Sequence, residues 1–324
     1  MSDNNIQGAF FQQIKDLLPG NVSMVDEVAD ILKISNDSAY RRIRGETSLT
    51  FDEIAMLSSK YGISLDGLTH SSADMVAFKY RPLNEKKFSF ESYMISVLDD
   101  LIKIEAAEDK EMIYVANDIP FFLLFGIPEV ASFKLFVWTK TILNYSIHHG
   151  KKYVLNAYFT DKIKETGTKL IELYSKIPSV EIFHAGTIEP TLNQLEYYWV
   201  SGLFAEKEHA LILCDKISQL VSHMQLQAEL GVKFPYGKPL PEGVLEMRKG
   251  TYKLYYNEVI YTDNTILARI GDTKVTYLTN NGHDSLRTSN PYFYENTYRS
   301  IQNLLSKSAF VSGTSEKERN RIFM

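Results

Sequence analysis

Capping and turn residues divide the first 68 residues into segments so short that each can form only a small helix. Pro19-Gly20 ends an amphipathic segment that begins near residue 9, and Gly45 ends a later one. Thr50 is followed three residues on by Glu53, which is the pattern of a capping box at a helix start. We therefore predict five short helices over residues 9–68 and an all-α domain.

A polar stretch separates this head from the rest of the chain. Ser71-Ser72 opens the stretch, and Glu85-Lys86-Lys87 lies near its end. We place the head domain at residues 1–69, a linker at 70–87 and a second domain at 88–324. A chain of 324 residues is long for one compact domain and suits two.

The second domain alternates between helical and strand-like segments. Met112–Val115 and Val180–Phe183 are short strand candidates, and Lys162–Tyr174 follows a helical period. Gly271-Asp272 is a two-residue turn signal between two apolar segments and indicates a β-hairpin. The predicted fold class is therefore multi-domain, with an all-α head followed by a mixed α/β (α+β) domain.

Composition and hydropathy bear on the cellular compartment of the protein, on membrane association and on bound cofactors or metals. The single cysteine, Cys214, excludes an internal disulfide framework and a cysteine-based zinc site. The most apolar run, Ile119–Pro128, is much shorter than the roughly 20 residues that span a bilayer. The N-terminus lacks the pattern of a signal peptide. We expect a cytoplasmic protein with no membrane partner, no cofactor and no metal.

The total charge does not favour nucleic-acid binding, but the distribution of charge does. The net charge is −5, and the first 70 residues hold six basic and ten acidic side chains. Three of those six cations lie within Arg41–Arg44. A DNA-binding surface requires positive potential only where it meets phosphate, so a local cluster is sufficient.

The stretch from Val25 to Gly45 has the residue types that two closely crossing helices require. Ala29 supplies a small side chain at the crossing, Ile34 fills the turn, and Ser35 or Asn36 can cap the second helix. With the two segments that follow, the stretch resembles the phage-repressor (Cro/XRE-like) helix-turn-helix family over residues 9–68. The resemblance implies that the second helix enters the major groove of duplex DNA.

Two positions depart from the family pattern. Lys33 stands in the turn where many members have glycine, so the turn either strains this residue or is of a variant type. The inner pair of the reading helix is either Ala39 with Ile43 or Tyr40 with Ile43. The second register would bury Tyr40, so the sequence leaves open which side faces DNA.

The resemblance implies DNA contacts from the reading helix and its flanks. Arginine can pair with guanine and asparagine with adenine through two hydrogen bonds, each such pair contributing about 1–3 kcal/mol of discrimination. Side chains at the helix ends can bind phosphate. The predicted DNA-binding residues are Lys33, Asn36, Asp37, Ser38, Tyr40, Arg41, Arg42, Arg44, Thr47 and Ser48.

The plan of a small DNA-reading head before a large mixed domain resembles that of bacterial one-component transcription regulators. This plan implies double-stranded DNA as a partner, a homodimer, and a second domain that senses a small-molecule effector, dimerises, or both. Residues 206–230 carry a short heptad pattern that fits either a dimer helix or a buried core helix. Several aromatic residues could line a ligand pocket or simply pack in the core: Tyr197, Tyr198, Trp199, Tyr252, Tyr255, Tyr256 and Tyr261.

Two alternatives to a DNA-binding regulator remain open on the sequence. The head could bind protein or RNA instead of DNA. The second domain could be an enzyme with an appended DNA-binding head, although the chain has no glycine-rich phosphate loop and no G-x-S-x-G motif. His209 and His223 are too far apart on one helix to share a metal. We expect a regulator rather than an enzyme.

Overall fold

The chain divides into two compact units, Met1–Ala77 and Phe78–Met324. The division falls inside the stretch predicted as a linker, but Lys79–Arg81 within that stretch forms a strand. The computed structural model describes residues 6–18, 22–63, 76–81, 83, 85, 89–258, 263–280 and 284–312.

The described part of unit 1 contains four helices: α1 (Ile6–Leu17), α2 (Met24–Leu32), α3 (Asn36–Ile43) and α4 (Phe51–Tyr61). Serine or threonine caps three of them, because Ser23, Ser35 and Thr50 each accept a hydrogen bond from the first turn of their helix. The predicted capping box of Thr50 and Glu53 is present. The fifth predicted helix lies mostly outside the described residues. The core of the unit consists of Phe10, Phe11, Ile14, Val28, Ala29, Leu32, Ala39, Leu57 and Ile63.

Unit 2 is built on one eight-stranded mixed sheet. Its strands are β1 (Lys79–Arg81), β2 (Lys110–Val115), β3 (Ser179–Phe183), β4 (Tyr252–Tyr256), β5 (Thr265–Ile270), β6 (Thr273–Asn280), β7 (Asp284–Thr288) and β8 (Ala309–Phe310). The spatial order is β1-β7-β6-β5-β2-β3-β4-β8. Strands β2, β3 and β4 run parallel to one another, and the remaining pairs are antiparallel.

Eight α-helices accompany the sheet in the described part of unit 2. They are α5 (Phe90–Ala106), α6 (Phe121–Leu124), α7 (Pro128–Val137), α8 (Asp161–Lys176), α9 (Glu189–Val200), α10 (Lys207–Leu230), α11 (Val244–Arg248) and α12 (Pro291–Leu305). Helix α7 continues into a π-helical turn, Trp138–Ile142, in which the Leu143 N–H donates to the Trp138 carbonyl at 2.8 Å. Such turns are rare, and they often occur at functional sites.

Both faces of the sheet are covered. On β2, Met112 and Tyr114 belong to the larger core, whereas the alternating Ile113 and Val115 belong to a smaller core with Ile301 of α12. Alternation of this kind follows from the two-residue period of a strand, and burial of successive residues requires a layer on each side. Unit 2 therefore has an α+β architecture of three layers, helix–sheet–helix.

Helix α10 is a core helix. Its buried residues include Leu213, Ile217, Leu220 and Met224, whereas Cys214 of the predicted heptad pattern is exposed. The pattern is therefore explained by packing inside unit 2, and a dimer helix is not needed to account for it. No helix among the described residues combines the length and apolarity needed to cross a bilayer.

Candidate nucleic-acid interface and interior cavity

The turn between α2 and α3 places Lys33 in a conformation that favours glycine. Lys33 has φ 57° and ψ 44°, and its N–H donates to the Ala29 carbonyl to close α2. Lys33 thus adopts a left-handed backbone conformation that glycine takes freely, at some strain. The turn then leads directly to Ser35, whose Oγ accepts from the Ser38 N–H at 3.3 Å.

The register of α3 is settled by which side chains are buried. Ala39 is fully buried, whereas 48% of Tyr40 is exposed. Ile43 packs partly buried against the same core. The inner pair is therefore Ala39 with Ile43, and the alternative register, which buries Tyr40, is wrong.

Four exposed residues of α3 and its C-cap share one side of the helix, which we call the outer stripe: Asp37, Tyr40, Arg41 and Arg44. Their spacing of i, i+3, i+4 and i+7 places them on one helical face. The arginine side chains are 56% and 59% exposed. The Arg44 guanidinium lies over the Tyr40 ring, 5.4 Å from its centroid, which fixes a cation at the end of the stripe.

One carboxylate restrains both arginines of the outer stripe. The Glu46 carboxylate lies 3.9 Å from Arg41 Nε and 3.6 Å from Arg44 Nε. Exposed ion pairs of this kind are weak. Glu46 therefore competes with any anion that approaches the stripe, without holding the arginines firmly.

Arg42 faces inward, in contrast to its neighbours. Its guanidinium donates to Glu53 at 2.8 Å and to the Ser38 carbonyl at 3.2 Å, and both side chains of the ion pair are largely buried. Burial alone would raise the pKa of Glu53, but hydrogen bonds from Arg42 and the Thr50 N–H lower this pKa below its ordinary value. Arg42 thus joins α3 to α4, so the predicted DNA contact by Arg42 would first have to break this ion pair.

The other predicted contact residues divide into tethered and exposed groups. The Asn36 amide donates to Asp26 at 2.8 Å, so a base contact by Asn36 would first break that bond. The loop after α3 is held by Gln7, which donates to the Thr47 carbonyl at 2.8 Å. Lys33 and Ser48 are exposed and flank the outer stripe in sequence.

Unit 2 contains a cavity of about 310 Å³ at the carboxyl end of β2. The sequence did not predict its position, because the lining residues come from segments far apart in the chain. Most of them are apolar or aromatic: Leu83, Phe90, Tyr93, Val97, Leu101, Ile104, Met112, Tyr114, Ile119, Phe121, Phe122, Trp138, Pro190, Ile266, Tyr277 and Leu278.

A buried ion pair borders the cavity. Lys134 of α7 is fully buried and donates to Asp118 at 2.7 Å, to Thr191 Oγ1 at 3.0 Å and to Gln194 Oε1 at 2.8 Å. Burial lowers the pKa of Lys134, and the Asp118 carboxylate opposes that shift. The three ammonium protons thus have three acceptors within the protein.

His184, which follows β3, orients an asparagine of the cavity wall. The Gly186 N–H donates to His184 Nδ1 at 3.1 Å, so the ring proton lies on Nε2, which donates to Asn117 Oδ1 at 2.9 Å. A side chain at Gly186 would approach the His184 ring to 2.8 Å, so glycine permits this arrangement. Burial lowers the pKa of His184, which keeps the ring neutral at neutral pH.

The described members of the aromatic set that the sequence suggested for a ligand pocket do not line this cavity. Tyr198 and Tyr252 are buried in the core of unit 2, whereas Tyr197 and Trp199 are about half exposed. Tyr261 lies outside the described residues. The lining aromatics instead come from α5, α6, the π-helical turn and strands β2 and β6, which no local pattern identifies as neighbours.

No protein-family model, curated protein or solved structure matches this chain. Function is therefore inferred from two places in the molecule. Unit 1 presents an exposed, arginine-bearing helix. Unit 2 contains an apolar cavity with a polar end.

Proposed function

We propose that this protein is a sequence-specific, DNA-binding transcriptional regulator whose helix α3 enters the major groove. The observation that carries the proposal is the outer stripe, in which Tyr40, Arg41 and Arg44 are exposed together on the face opposite Ala39. A buried small residue on one side and exposed cations on the other is the arrangement that a reading helix requires.

The chemistry of the outer stripe suits base edges and phosphates. Arginine can donate two hydrogen bonds to guanine, and the Asp37 carboxylate can accept from cytosine. The Tyr40 ring offers apolar contact area beside the Arg44 guanidinium. The exposed Lys33 ammonium supplies a cation for the DNA backbone.

The acidic total charge of the head is compatible with this proposal. Glu53 neutralises the inward-facing Arg42, so that pair adds no charge to the outer face. Binding would then depend on a few local cations, and its affinity would fall steeply as salt screens them.

Selection of random duplex DNA on the full-length protein tests the proposal. We expect the wild type to enrich one motif, and a palindromic motif would indicate two copies bound about one DNA turn apart. Arg41→Ala and Arg44→Ala should each lose this enrichment, because each removes a donor from the outer stripe.

Lys60→Ala is the matched control, since it removes an exposed cation of the same unit from α4. This variant should retain the motif. Failure of the wild type to enrich any sequence at low salt, where phosphate contacts are strongest, would contradict the proposal and favour a protein- or RNA-binding head.

A further inference from the structure

Three carboxamide side chains on the cavity wall have their oxygens occupied from within the protein. Asn117 Oδ1 accepts from His184 Nε2, Asn264 Oδ1 accepts from the Asn117 N–H at 2.8 Å, and Gln194 Oε1 accepts from Lys134. Each donor can pair only with an oxygen, so the orientation of each amide is determined. None of the three NH₂ groups donates to a described residue.

The polar end of the cavity is therefore rich in neutral donors. Three NH₂ groups provide six N–H bonds, and a ligand that enters must supply acceptors to avoid burying them unsatisfied. A ligand with oxygen or ring-nitrogen acceptors at one end satisfies this requirement. A purely apolar ligand does not.

The formal charges around the cavity are already compensated. Lys134 is paired with Asp118, and the Arg81 guanidinium lies 3.1 Å from the Asp100 carboxylate at another part of the wall. A carboxylate ligand would find no unpaired cation among the described lining residues. A cationic ligand would face amide donors instead of acceptors. The compensated charges favour a neutral ligand.

The remaining wall favours a flat, apolar body. Phe121 stacks on Trp138 with ring centroids 6.0 Å apart and an interplanar angle of 23°, and Phe90 lies 5.9 Å from Trp138. Aromatic walls of this type contact planar ligands over a large area. A volume of about 310 Å³ holds roughly ten water-sized groups.

We propose that this cavity binds a neutral, planar, mostly apolar small molecule that carries a carbonyl acceptor at one end. The carbonyl oxygen accepts from the amide groups of Asn117 and the adjacent Asn264, while the ring system packs on Trp138. The proposal concerns unit 2 alone and does not depend on DNA binding by unit 1, so either can fail without the other.

Four naphthalene derivatives of nearly equal shape test the proposal by calorimetry on the full-length protein. They are 2-acetylnaphthalene, 2-isopropylnaphthalene, 2-naphthoate and 1-(2-naphthyl)ethylammonium, and they differ in the chemistry of one end. We expect the ketone to bind at one site per chain. The hydrocarbon should bind at least about tenfold more weakly because it leaves the amide donors unsatisfied, and the two ions should bind more weakly than the ketone.

Asn117→Asp replaces the NH₂ donor with an oxygen, keeps the shape and retains an acceptor for His184 Nε2. This variant should weaken ketone binding at least about tenfold and improve binding of the ammonium probe. Asn303→Asp, an exposed position on α12, makes the same change of charge outside the cavity and should leave both affinities unchanged.

Several results would overturn the proposal. The first is an affinity for the hydrocarbon or the naphthoate that equals the affinity for the ketone. The second is an affinity of Asn117→Asp for the ketone that equals that of the wild type. The third is no detectable ketone binding up to the solubility limit of the ketone. If circular dichroism shows that Asn117→Asp is unfolded, the four probes on the wild type decide the question without it.

Discussion

Arg41 and Arg42 are adjacent in sequence but have opposite environments. Arg41 is more than half exposed on the outer stripe, whereas Arg42 is largely buried against Glu53. A helix turns by about 100° per residue, so neighbouring side chains face different surroundings. The sequence identified the arginine cluster, but only the burial of Ala39 shows which arginines are exposed.

Removal of the carboxylate that restrains the outer stripe should strengthen DNA binding. In Glu46→Gln, Arg41 and Arg44 lose their shared anion and one negative charge leaves the side of unit 1 that carries the outer stripe, so we expect severalfold tighter binding at low salt. Fluorescence anisotropy with a labelled duplex measures this effect. Asp16→Asn, an equal change of charge on α1, should have a much smaller effect. An affinity that Glu46→Gln leaves unchanged or weakens would argue against the stripe as the binding surface.

The positive φ of Lys33 leads to a prediction about stability. Lys33→Gly should relieve the cost of a left-handed conformation and stabilise unit 1 by about 0.5–1 kcal/mol, net of the entropy that glycine loses on folding. Hydrogen exchange of the core amides in α2 and α3 reports this change. Gly62→Ala, at the α4 C-cap with φ 64°, is the reverse test and should lose stability. Slower exchange in both variants, or faster exchange in both, would contradict the strain argument.

Helices and strands with local signals were predictable, and those that depend on distant partners were not. Caps and turn residues correctly indicated α4 and the hairpin of β5 and β6. Strand β1 was assigned to the linker because three residues carry no pattern of their own; pairing with β7 makes them a strand. The cavity was not predicted because it also depends on segments that are distant in sequence: its wall combines α5, the π-helical turn and β6.

A buried polar cluster links β3, β4 and α8. Lys233 lies 3.3 Å from the centroid of the Tyr174 ring and donates to Ser179 Oγ at 2.6 Å. Nearby, the buried Glu181 carboxylate accepts from Tyr174 and from Tyr252. Burial lowers the pKa of Lys233 to about 7, although Glu181 opposes the shift. The folded state therefore favours neutral Lys233 at alkaline pH.

The lowered pKa of Lys233 makes stability depend on pH. Between pH 7 and 9 the unfolded chain binds the Lys233 proton and the folded chain progressively does not, so this residue should add about 2 kcal/mol to the free energy of unfolding across that range. Urea unfolding of wild type and Lys233→Met, followed by tryptophan fluorescence, measures the difference.

Lys249→Met removes an exposed lysine near the cluster and should keep the pH dependence of the wild type. Tyrosines with raised pKa values affect stability only at higher pH, because their ordinary pKa is near 10. A parallel pH dependence in wild type and Lys233→Met would show that Lys233 keeps an ordinary pKa in the folded protein.

The whole molecule combines a small helical unit with a larger α+β unit, and the two proposed ligands belong to different units. DNA is proposed to bind the outer stripe of unit 1, through charge and hydrogen bonds. A neutral carbonyl compound is proposed to bind the cavity of unit 2, through apolar area and amide donors. If both bind, any effect of one on the other is a coupling free energy, and it must be equal in both directions.

The aromatic residues that the sequence could not assign to either a core or a ligand pocket lie in unit 2. Its aromatic residues are divided between the core, as with Phe133 and Tyr153, and the cavity wall, as with Tyr93 and Phe121. Both uses require large apolar side chains, so composition alone could not separate them. The predicted α+β class is confirmed for unit 2, while the effector remains a proposal.

If the outer stripe of α3 binds duplex DNA, its exposed cations must make that binding sensitive to salt. A labelled duplex is titrated with full-length wild type, with the Arg41→Ala/Arg44→Ala double variant and with Lys60→Ala at several salt concentrations. We predict salt-sensitive binding by the wild type, at least about tenfold weaker binding by the double variant, and a slope of log K against log salt that is shallower by about one to two. Lys60→Ala should match the wild type. Equal affinities and slopes for all three proteins, or no binding by the wild type at low salt, would contradict DNA binding by the outer stripe.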